Sequence, residues 1–177
     1  MGNFKEDIEH VRAFAFDVDG VFTDNKITVT PDGDFVRAYN AKDGFGLKTV
    51  VEKGYPVCVI TGGKGIALLR RFEMLGVSDL HLDCFDKLPR LKAFMEKYGL
   101  RPEEVLFMGD DIPDIPAMRA VGVPVCPADA SVDVKRVARY VSGFAGGEGC
   151  VRDIIEQVLR ARGDWFSDDF GTTVTSA

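Results

Sequence analysis

The segment Val11-Arg12-Ala13-Phe14-Ala15-Phe16-Asp17-Val18-Asp19-Gly20 is a short apolar run that ends in two acidic residues and a glycine. An apolar run of this length predicts a buried strand, because a strand that is covered on both faces carries apolar side chains on both. Similar runs predict four further strands, at residues 56–60, 79–82, 105–108 and 123–126. The chain therefore contains several short buried strands, of which residues 11–16 form the first.

The stretches between these strands have the apolar spacing of helices. Leu68, Phe72 and Leu75, for example, are spaced four and three residues apart, which places them on one helix face. The predicted helices cover residues 43–53, 64–75, 87–98, 115–121, 132–138 and 149–160. Strands that alternate with helices predict a doubly wound, Rossmann-like α/β fold, in which a parallel sheet carries helices on both faces.

One segment interrupts this alternation directly after the first strand. Residues 25–40 show a period of two, with Ile27, Val29, Phe35, Arg37 and Tyr39 around the turn sequence at 31–33. We predict an inserted β-hairpin flap there, within a single domain over residues 1–162. The tail at 163–177 is polar, and we expect it to lack stable structure alone. In that tail, Trp165 and Phe166 either pack loosely or anchor on another subunit.

Composition restricts the function only broadly. The formal net charge is −6 and no basic run interrupts it, which argues against broad nucleic-acid binding. The sequence predicts neither a membrane span nor a signal peptide, so we expect a cytoplasmic protein. The four cysteines contain no CxxC pair, which favours inert, unpaired thiols.

Polar side chains follow the predicted strands at the edge where α/β sheets bind ligands. Asp17 and Asp19 follow the first strand, and Thr61 and Gly62 follow the second. Lys87 opens the helix after the third strand. The fourth strand is followed by Asp110, Asp111 and Asp114. Taken singly, these residues could be turn acids, helix caps or a solvated lysine, but their joint placement favours an active site.

This set of residue types suits the cleavage of a phosphate ester. Two or three carboxylates can hold Mg²⁺, with Asp110 as the best remaining ligand and Asp111 or Asp114 ordering its surroundings. Asp17 can then attack phosphorus as a nucleophile, and Asp19 can act as general acid and base. Thr61, the Gly62 amide and Lys87 would hold the phosphoryl oxygens.

Four short motifs resemble those of the haloacid-dehalogenase superfamily of phosphatases. They are Asp17-Val-Asp-Gly-Val, Ile60-Thr-Gly-Gly, Asp86-Lys87 and Gly109-Asp-Asp-Ile-Pro-Asp. Between residues 14 and 159 the chain is similar, more narrowly, to the small capless members of that superfamily. These are the 3-deoxy-D-manno-octulosonate 8-phosphate (KDO 8-phosphate) phosphatases, which release the free sugar acid and phosphate in lipopolysaccharide precursor synthesis.

The resemblance implies residue roles. Asp17, Asp19 (through its main-chain carbonyl) and Asp110 would bind Mg²⁺, and Asp17, Asp19, Thr61 and Lys87 would be catalytic. The positions that would contact substrate are Asp19, Asn40, Lys42, Asp43, Gly44, Gly62, Gly63, Arg71 and Lys87. Two positions depart from the pattern, since many relatives carry Arg at the places of Gly63 and Lys42. The loss of a bidentate guanidinium changes how carboxylate or phosphate is recognised.

Three other functions compete with this interpretation. A phosphatase of nine-carbon, sialic-acid-type 9-phosphates is the main alternative, although such relatives tend to carry Glu where this chain has Gly63. A two-component receiver domain also uses a phospho-aspartate, but its acid pair is adjacent and it lacks the acid/base that Asp19 supplies. A non-catalytic relative would be expected to lose Asp17 or Asp19.

The hairpin also suggests an oligomer. No insertion is large enough to form a cap domain over the site, and two isolated strands rich in apolar residues are marginal in water. Pairing hairpins between subunits would bury that surface, and the resembled family forms tetramers in this way. In the family, the region of residues 146–149 and the tail lie near a neighbouring site. The alternative is a monomer whose hairpin folds back on its own sheet.

Overall fold

Six parallel strands form the central sheet of the computed structural model, which describes residues 3–166. In spatial order they are β5 (Asp79–His81), β4 (Val57–Ile60), β1 (Ala13–Phe16), β6 (Val105–Met108), β7 (Val123–Cys126) and β8 (Tyr140–Val141). Every neighbouring pair in this sheet is parallel. The predicted doubly wound α/β fold is confirmed, and β1 lies inside the sheet between β4 and β6.

The alternation of side chains along β1 separates the two layers of the core. Phe14 and Phe16 point into one cluster of buried residues, whereas Ala13 and Ala15 face the other. Helices α2 (Ala41–Glu52), α3 (Ile66–Met74) and α7 (Cys150–Ala161) cover the first face. Helices α4 (Leu88–Tyr98), α5 (Ile115–Met118) and α6 (Val132–Val137) cover the second. Burial on both faces explains why the strands read as continuous apolar runs.

Several predicted boundaries were wrong by one to three residues. Helix α2 begins at Ala41 rather than at residue 43, because the Asn40 side chain accepts hydrogen bonds from the amides of Lys42 and Asp43 and so caps the helix. The first strand begins at Ala13 rather than at residue 11. Strand β8 and the short helix α1 (Phe4–Asp7) were not predicted, since neither is long enough to show a period.

The inserted segment forms a small antiparallel hairpin of β2 (Thr28–Val29) and β3 (Phe35–Val36). Only two residues of each strand pair, which is shorter than the predicted span of 25–40. Ile27, Val29, Phe35 and Val36 are all exposed, with relative accessibilities between 42% and 62%. The end of the segment is different, because the Arg37 side chain turns inward and is only 5% exposed.

The start of the C-terminal tail packs on its own chain. Trp165 lies against the core, with the guanidinium groups of Arg152 and Arg160 at 4.7 and 5.7 Å from its ring centre. Phe166 contacts Phe45, with ring centres 5.9 Å apart. Trp165 is therefore not loosely packed, whereas the predicted alternative of an anchor on another subunit stays a prediction. The rest of the predicted tail, 167–177, lies outside the described residues.

All four cysteines are free thiols, as predicted. Among the helices of residues 3–166, none combines the length and the apolar character needed to cross a membrane.

Candidate active site

A buried lysine joins the two strands at the centre of the sheet. Lys87 Nζ lies 2.8 Å from Asp17 Oδ1, at the end of β1, and 2.5 Å from Asp114 Oδ1, in the turn after β6. Its side chain is 5% exposed, so the possibility of a solvated first-turn lysine is excluded. An ammonium between two carboxylates in a buried place fixes the orientation of both, because charge-assisted hydrogen bonds are directional and strong there.

Asp110 completes a crowded cluster of carboxylates. Carboxyl oxygens of Asp17, Asp110 and Asp114 lie within 4.8 Å of one another. Burial, together with the charge of Asp114, raises the pKa of Asp17 to about 7. Burial and the charge of Asp17 raise the pKa of Asp110 to about 8. Both carboxylates are therefore unfavourably charged near neutral pH without an additional cation.

The carboxylate cluster offers oxygen ligands that suit a divalent metal ion. Asp114 is largely committed elsewhere, since one carboxyl oxygen binds Lys87 and the other accepts from the amides of Asp110 and Asp111 at 2.9 and 3.3 Å. Asp17 and Asp110 keep oxygen atoms that are available to a hard cation, which is the donor type that Mg²⁺ prefers. We therefore assign Asp114 to the positioning of Lys87 and of the Asp110 loop.

Gly20 allows the cluster of Asp17, Asp110 and Asp114 to form. Its φ is +81°, and a Cβ added there would lie 1.9 Å from Asp110 Oδ2. Any side chain at position 20 would therefore meet both an unfavourable backbone conformation and the carboxylate of Asp110. The Asp-x-Asp-Gly pattern of the sequence consequently has a steric basis.

Asp19 forms a bidentate ion pair with a residue of the hairpin. Its carboxylate oxygens accept from Arg37 Nε at 2.6 Å and from Arg37 Nη2 at 3.0 Å. Asp19 lines the same cleft as Asp17 but does not contact the Lys87 cluster. The two aspartates thus have different partners, one a lysine and the other an arginine.

The loop after β4 forms the opposite wall. Thr61 is buried, and its hydroxyl oxygen accepts from the Gly63 amide at 3.0 Å. The Phe85 ring lies over Gly62, although the residue as a whole is 73% exposed. Thr61, Gly62 and Gly63 border a cleft of about 370 Å³ that also contains Asp17, Asp19, Lys87 and Asp110. This volume suits a small metabolite.

The remaining predicted substrate positions lie outside the lining of this cleft. Asn40 caps α2, and its amide nitrogen donates to the Gly147 carbonyl at 3.2 Å. Asp43 is fully buried and accepts from the backbone amide of Arg152, at the start of α7, at 2.8 Å. Burial raises the pKa of Asp43. Within this chain, Asn40 and Asp43 join α2 to the segment that begins α7.

Lys42, Gly44 and Arg71 are also separate from the cleft. Lys42 is exposed on the first turn of α2. Arg71 lies close to Gly44, because a Cβ added at Gly44 would be 2.4 Å from Arg71 Nη2. The Arg71 guanidinium also stands 5.5 Å from the centre of the Tyr39 ring. Their predicted contact with substrate stays a prediction.

Several residues of the cleft were not predicted as site residues, among them Asn25, Arg37 and Phe85. Asn25 adopts a left-handed backbone conformation (φ +66°) and donates from its side chain to Asp110 Oδ2 at 3.0 Å. Arg37 and Phe85 also line the cleft. Asn25 and Arg37 belong to the hairpin segment, which was interpreted only by its period of two, and no strand end marks them.

Comparison with known proteins gives the class. Residues 46–122 match the hydrolase family described as haloacid dehalogenase-like hydrolase. Together with the parallel sheet and the strand-end carboxylates, this match defines the class as the haloacid dehalogenase-like hydrolases. The chain is also 36% identical over 155 residues to the KDO 8-phosphate phosphatase of Escherichia coli K12, covering 88% of this chain and 82% of that protein. The chain belongs to the KDO 8-phosphate phosphatase family, and it is an enzyme, a phosphoric monoester hydrolase.

Solved structures agree with this assignment. The KDO 8-phosphate phosphatase of Yersinia pestis superposes with a TM-score of 0.89 at 31% identity, covering 92% of this chain and 88% of that one. The Moraxella catarrhalis enzyme, solved with magnesium, phosphate and KDO, has a TM-score of 0.88 at 30% identity. The match covers 93% of this chain and 94% of the Moraxella catarrhalis chain. The receiver-domain and non-catalytic alternatives are thereby set aside.

Proposed function

We propose that this enzyme hydrolyses KDO 8-phosphate to KDO and phosphate, with Mg²⁺ as its cofactor. The observation that carries the proposal is the buried contact of Lys87 with Asp17 beside Asp110, at the strand ends of a chain whose relatives are named for this reaction. The Moraxella catarrhalis relative, which binds magnesium, phosphate and KDO, supports both the metal and the sugar acid.

Asp17 and Asp110 would hold the Mg²⁺ ion, with the main-chain carbonyl of Asp19 as a further ligand. The ion supplies positive charge that lets an anionic carboxylate approach a phosphoryl group. Lys87, held by Asp114, adds a second positive charge at the same place. Thr61 and Gly62 line the same cleft, and the Thr61 hydroxyl and the Gly62 amide would donate to phosphoryl oxygens.

The chemistry then proceeds in two displacements. A carboxylate oxygen of Asp17 attacks phosphorus, the bond from phosphorus to the sugar oxygen breaks, and an aspartyl-phosphate forms. Asp19 gives a proton to the leaving oxygen, so that the sugar acid departs with a hydroxyl group. Asp19 then takes a proton from water, which attacks the aspartyl-phosphate and releases phosphate. The enzyme returns to its starting state with one water consumed.

We further propose that the working form is a homotetramer. Ile27 and Phe35 of the hairpin line the cleft while remaining exposed, and Val29 and Val36 add apolar surface beside them. Within residues 3–166 the hairpin pairs only with itself, and no second domain covers the cleft. Contact between hairpins of neighbouring subunits would remove apolar surface and strand edges from water.

A substrate panel tests the proposed reaction. Phosphate release would be measured from KDO 8-phosphate, from a nine-carbon sialic-acid-type 9-phosphate and from simple phosphomonoesters, with Mg²⁺ and with chelator. We expect the highest kcat/KM for KDO 8-phosphate and loss of activity in chelator. Preference for the nine-carbon substrate would reject the eight-carbon assignment, and full activity in chelator would reject the metal.

A further inference from the structure

Arg37 brings a guanidinium into the cleft from the hairpin. Its side chain is 5% exposed and is bound through two nitrogens to both oxygens of Asp19. A fork of this kind matches the geometry of a carboxylate. The cleft therefore already contains a place in which an arginine holds one carboxylate.

The guanidinium also lies directly over Gly63. A Cβ added to Gly63 would be 2.9 Å from Arg37 Nη2, 3.0 Å from Leu68 Cδ1 and 3.2 Å from Thr61 Oγ1. Arg37 thus occupies the space that a side chain at position 63 would need. Through this contact, the arginine stands beside the Thr61–Gly63 loop and next to the expected position of the phosphoryl group.

The charges of the cleft distinguish Arg37 from the other cations. The cleft is lined by three cations, Arg37, Lys64 and Lys87. Lys87 is already shared between two carboxylates, and Lys64 is exposed. Within residues 3–166, Arg37 forms an ion pair with Asp19 alone, and the Asp19 side chain is 23% exposed. It is therefore the buried cation that can exchange one carboxylate for another.

We propose that Arg37 is the specificity-determining residue that receives the carboxylate of the substrate, taking it in exchange for Asp19. This rests on the proposed function, since it assumes a phosphorylated sugar acid. The exchange has a second effect, because it releases the Asp19 side chain from Arg37 and leaves it free to turn toward the leaving oxygen. A phosphomonoester without a carboxylate leaves the Arg37–Asp19 pair in place. Recognition of the acid group and release of the general acid are therefore one event.

The test compares substrates that differ in the carboxylate. Arg37→Ala should lower kcat/KM for KDO 8-phosphate by about 100-fold, as expected for the loss of a bidentate charged contact. For 4-nitrophenyl phosphate, which carries no carboxylate, the loss in kcat/KM should be at least about tenfold smaller. Lys26→Ala is the matched control, because it removes a cation from the same segment whose partner, Asp24, is exposed outside the cleft. Equal losses on both substrates, or no loss on either, would overturn the proposal.

A second pair of substrates separates this proposal from the assignment of the substrate. Arg37→Ala should lower kcat/KM for 3-phosphoglycerate much more than for glycerol 3-phosphate, which lacks the carboxylate. If the wild type hydrolyses 4-nitrophenyl phosphate but not KDO 8-phosphate, the substrate assignment fails. In that case the effect of Arg37→Ala on the ratio of kcat/KM for 3-phosphoglycerate to that for glycerol 3-phosphate still decides the role of Arg37.

The space at Gly63 provides a rescue experiment. Gly63→Arg alone should impair the enzyme, because the new side chain meets Arg37 and Leu68. In the double variant of Gly63→Arg with Arg37→Ala, the space that Arg37 fills in the wild type is open. The arginine introduced at position 63 can then supply a guanidinium from the Thr61–Gly63 loop. We expect the double variant to recover at least about tenfold in kcat/KM for the sugar acid relative to Arg37→Ala. A folded double variant with no recovery would contradict the placement of the carboxylate beside position 63.

Discussion

Lys87 Nζ lies 2.8 Å from Asp17 Oδ1, so the proposed nucleophile is held by a buried ammonium that enters from the opposite side of β4. The same lysine binds Asp114, which in turn accepts from the amide of Asp110. One cation thus sets the orientation of the nucleophile and, through Asp114, the position of the second metal-ligand candidate.

Asp17→Asn should abolish turnover while the protein stays folded. An amide is a poor nucleophile and cannot form the aspartyl-phosphate, whereas its shape matches that of the carboxylate. The measurement is phosphate release from purified protein, with circular dichroism to verify the fold. Asp133→Asn on exposed α6 is the matched control and should keep full activity. Near-normal turnover of Asp17→Asn would refute the proposed nucleophile.

Asp19→Asn should slow turnover by about 10²–10⁴-fold, the usual contribution of a general acid. The loss should be smaller for 4-nitrophenyl phosphate, whose leaving group departs without a proton. Steady-state rates on both substrates provide the comparison. Equal loss on the two substrates would argue that Asp19 acts by position rather than by proton transfer.

Lys87→Ala should destabilise the fold as well as stop catalysis. Removal of one partner from a buried ion pair typically costs about 3–5 kcal/mol, because charges remain uncompensated. Lys97→Ala offers a contrast, since Lys97 pairs with Asp79 at the surface, where ion pairs contribute little to stability. Urea unfolding of both variants measures the difference. Similar costs for the two lysines would mean that the Lys87 cluster contributes little to stability.

Mg²⁺ should stabilise the protein more at high pH than at low pH. The pKa values of Asp17 and Asp110 are raised to about 7 and about 8, so the metal-free fold loses stability as pH rises from their unfolded values through this range. A metal needs the deprotonated ligands and relieves their repulsion. The Mg²⁺-induced rise in melting temperature should therefore be larger near about pH 8 than near about pH 5.5. Asp110→Asn should remove most of the Mg²⁺-induced rise in melting temperature. A rise that is independent of pH would contradict the assignment of Asp17 and Asp110 as metal ligands.

Charged substitutions on the hairpin should break the proposed tetramer. Val29 and Val36 are 62% and 52% exposed and do not line the cleft, so Val29→Lys with Val36→Lys alters the outer surface alone. We expect a lower mass by light scattering and reduced kcat/KM for the sugar acid. Val132→Lys on α6 provides the control, because Val132 is 66% exposed in the wild type. A wild-type mass near the 19.4 kDa of one chain, with full activity, would exclude the oligomer.

The sequence predicted the centre of the site because strand ends are marked by short patterns. Asp17, Thr61 and Asp110 each follow a buried apolar run, and parallel strands bring such positions to one edge. Arg37 could not be found in this way. It follows a two-residue strand, and its direction depends on the hairpin folding back over Gly63, a contact between distant parts of the chain.

The predicted substrate positions on α2 show a second limit of the sequence. The family resemblance alone predicted substrate contact for Asn40 and Asp43, and that contact stays a prediction. In the structure, Asn40 caps its own helix, and Asp43 accepts from the backbone at the start of α7. That partner is 109 residues away in the chain, so no local pattern indicates it.

The bond from the Arg152 amide to Asp43 has a consequence for the order in which the enzyme is made. Helix α7 follows every proposed catalytic residue in the chain, and it packs directly on α2. A nascent chain that already contains Asp17, Thr61, Lys87 and Asp110 still lacks the helix against which the buried carboxylate of Asp43 is satisfied. On the ribosome, the buried carboxylate of Asp43 therefore gains its partner only after α7 has emerged, and chains that are released before α7 should be degraded rather than active.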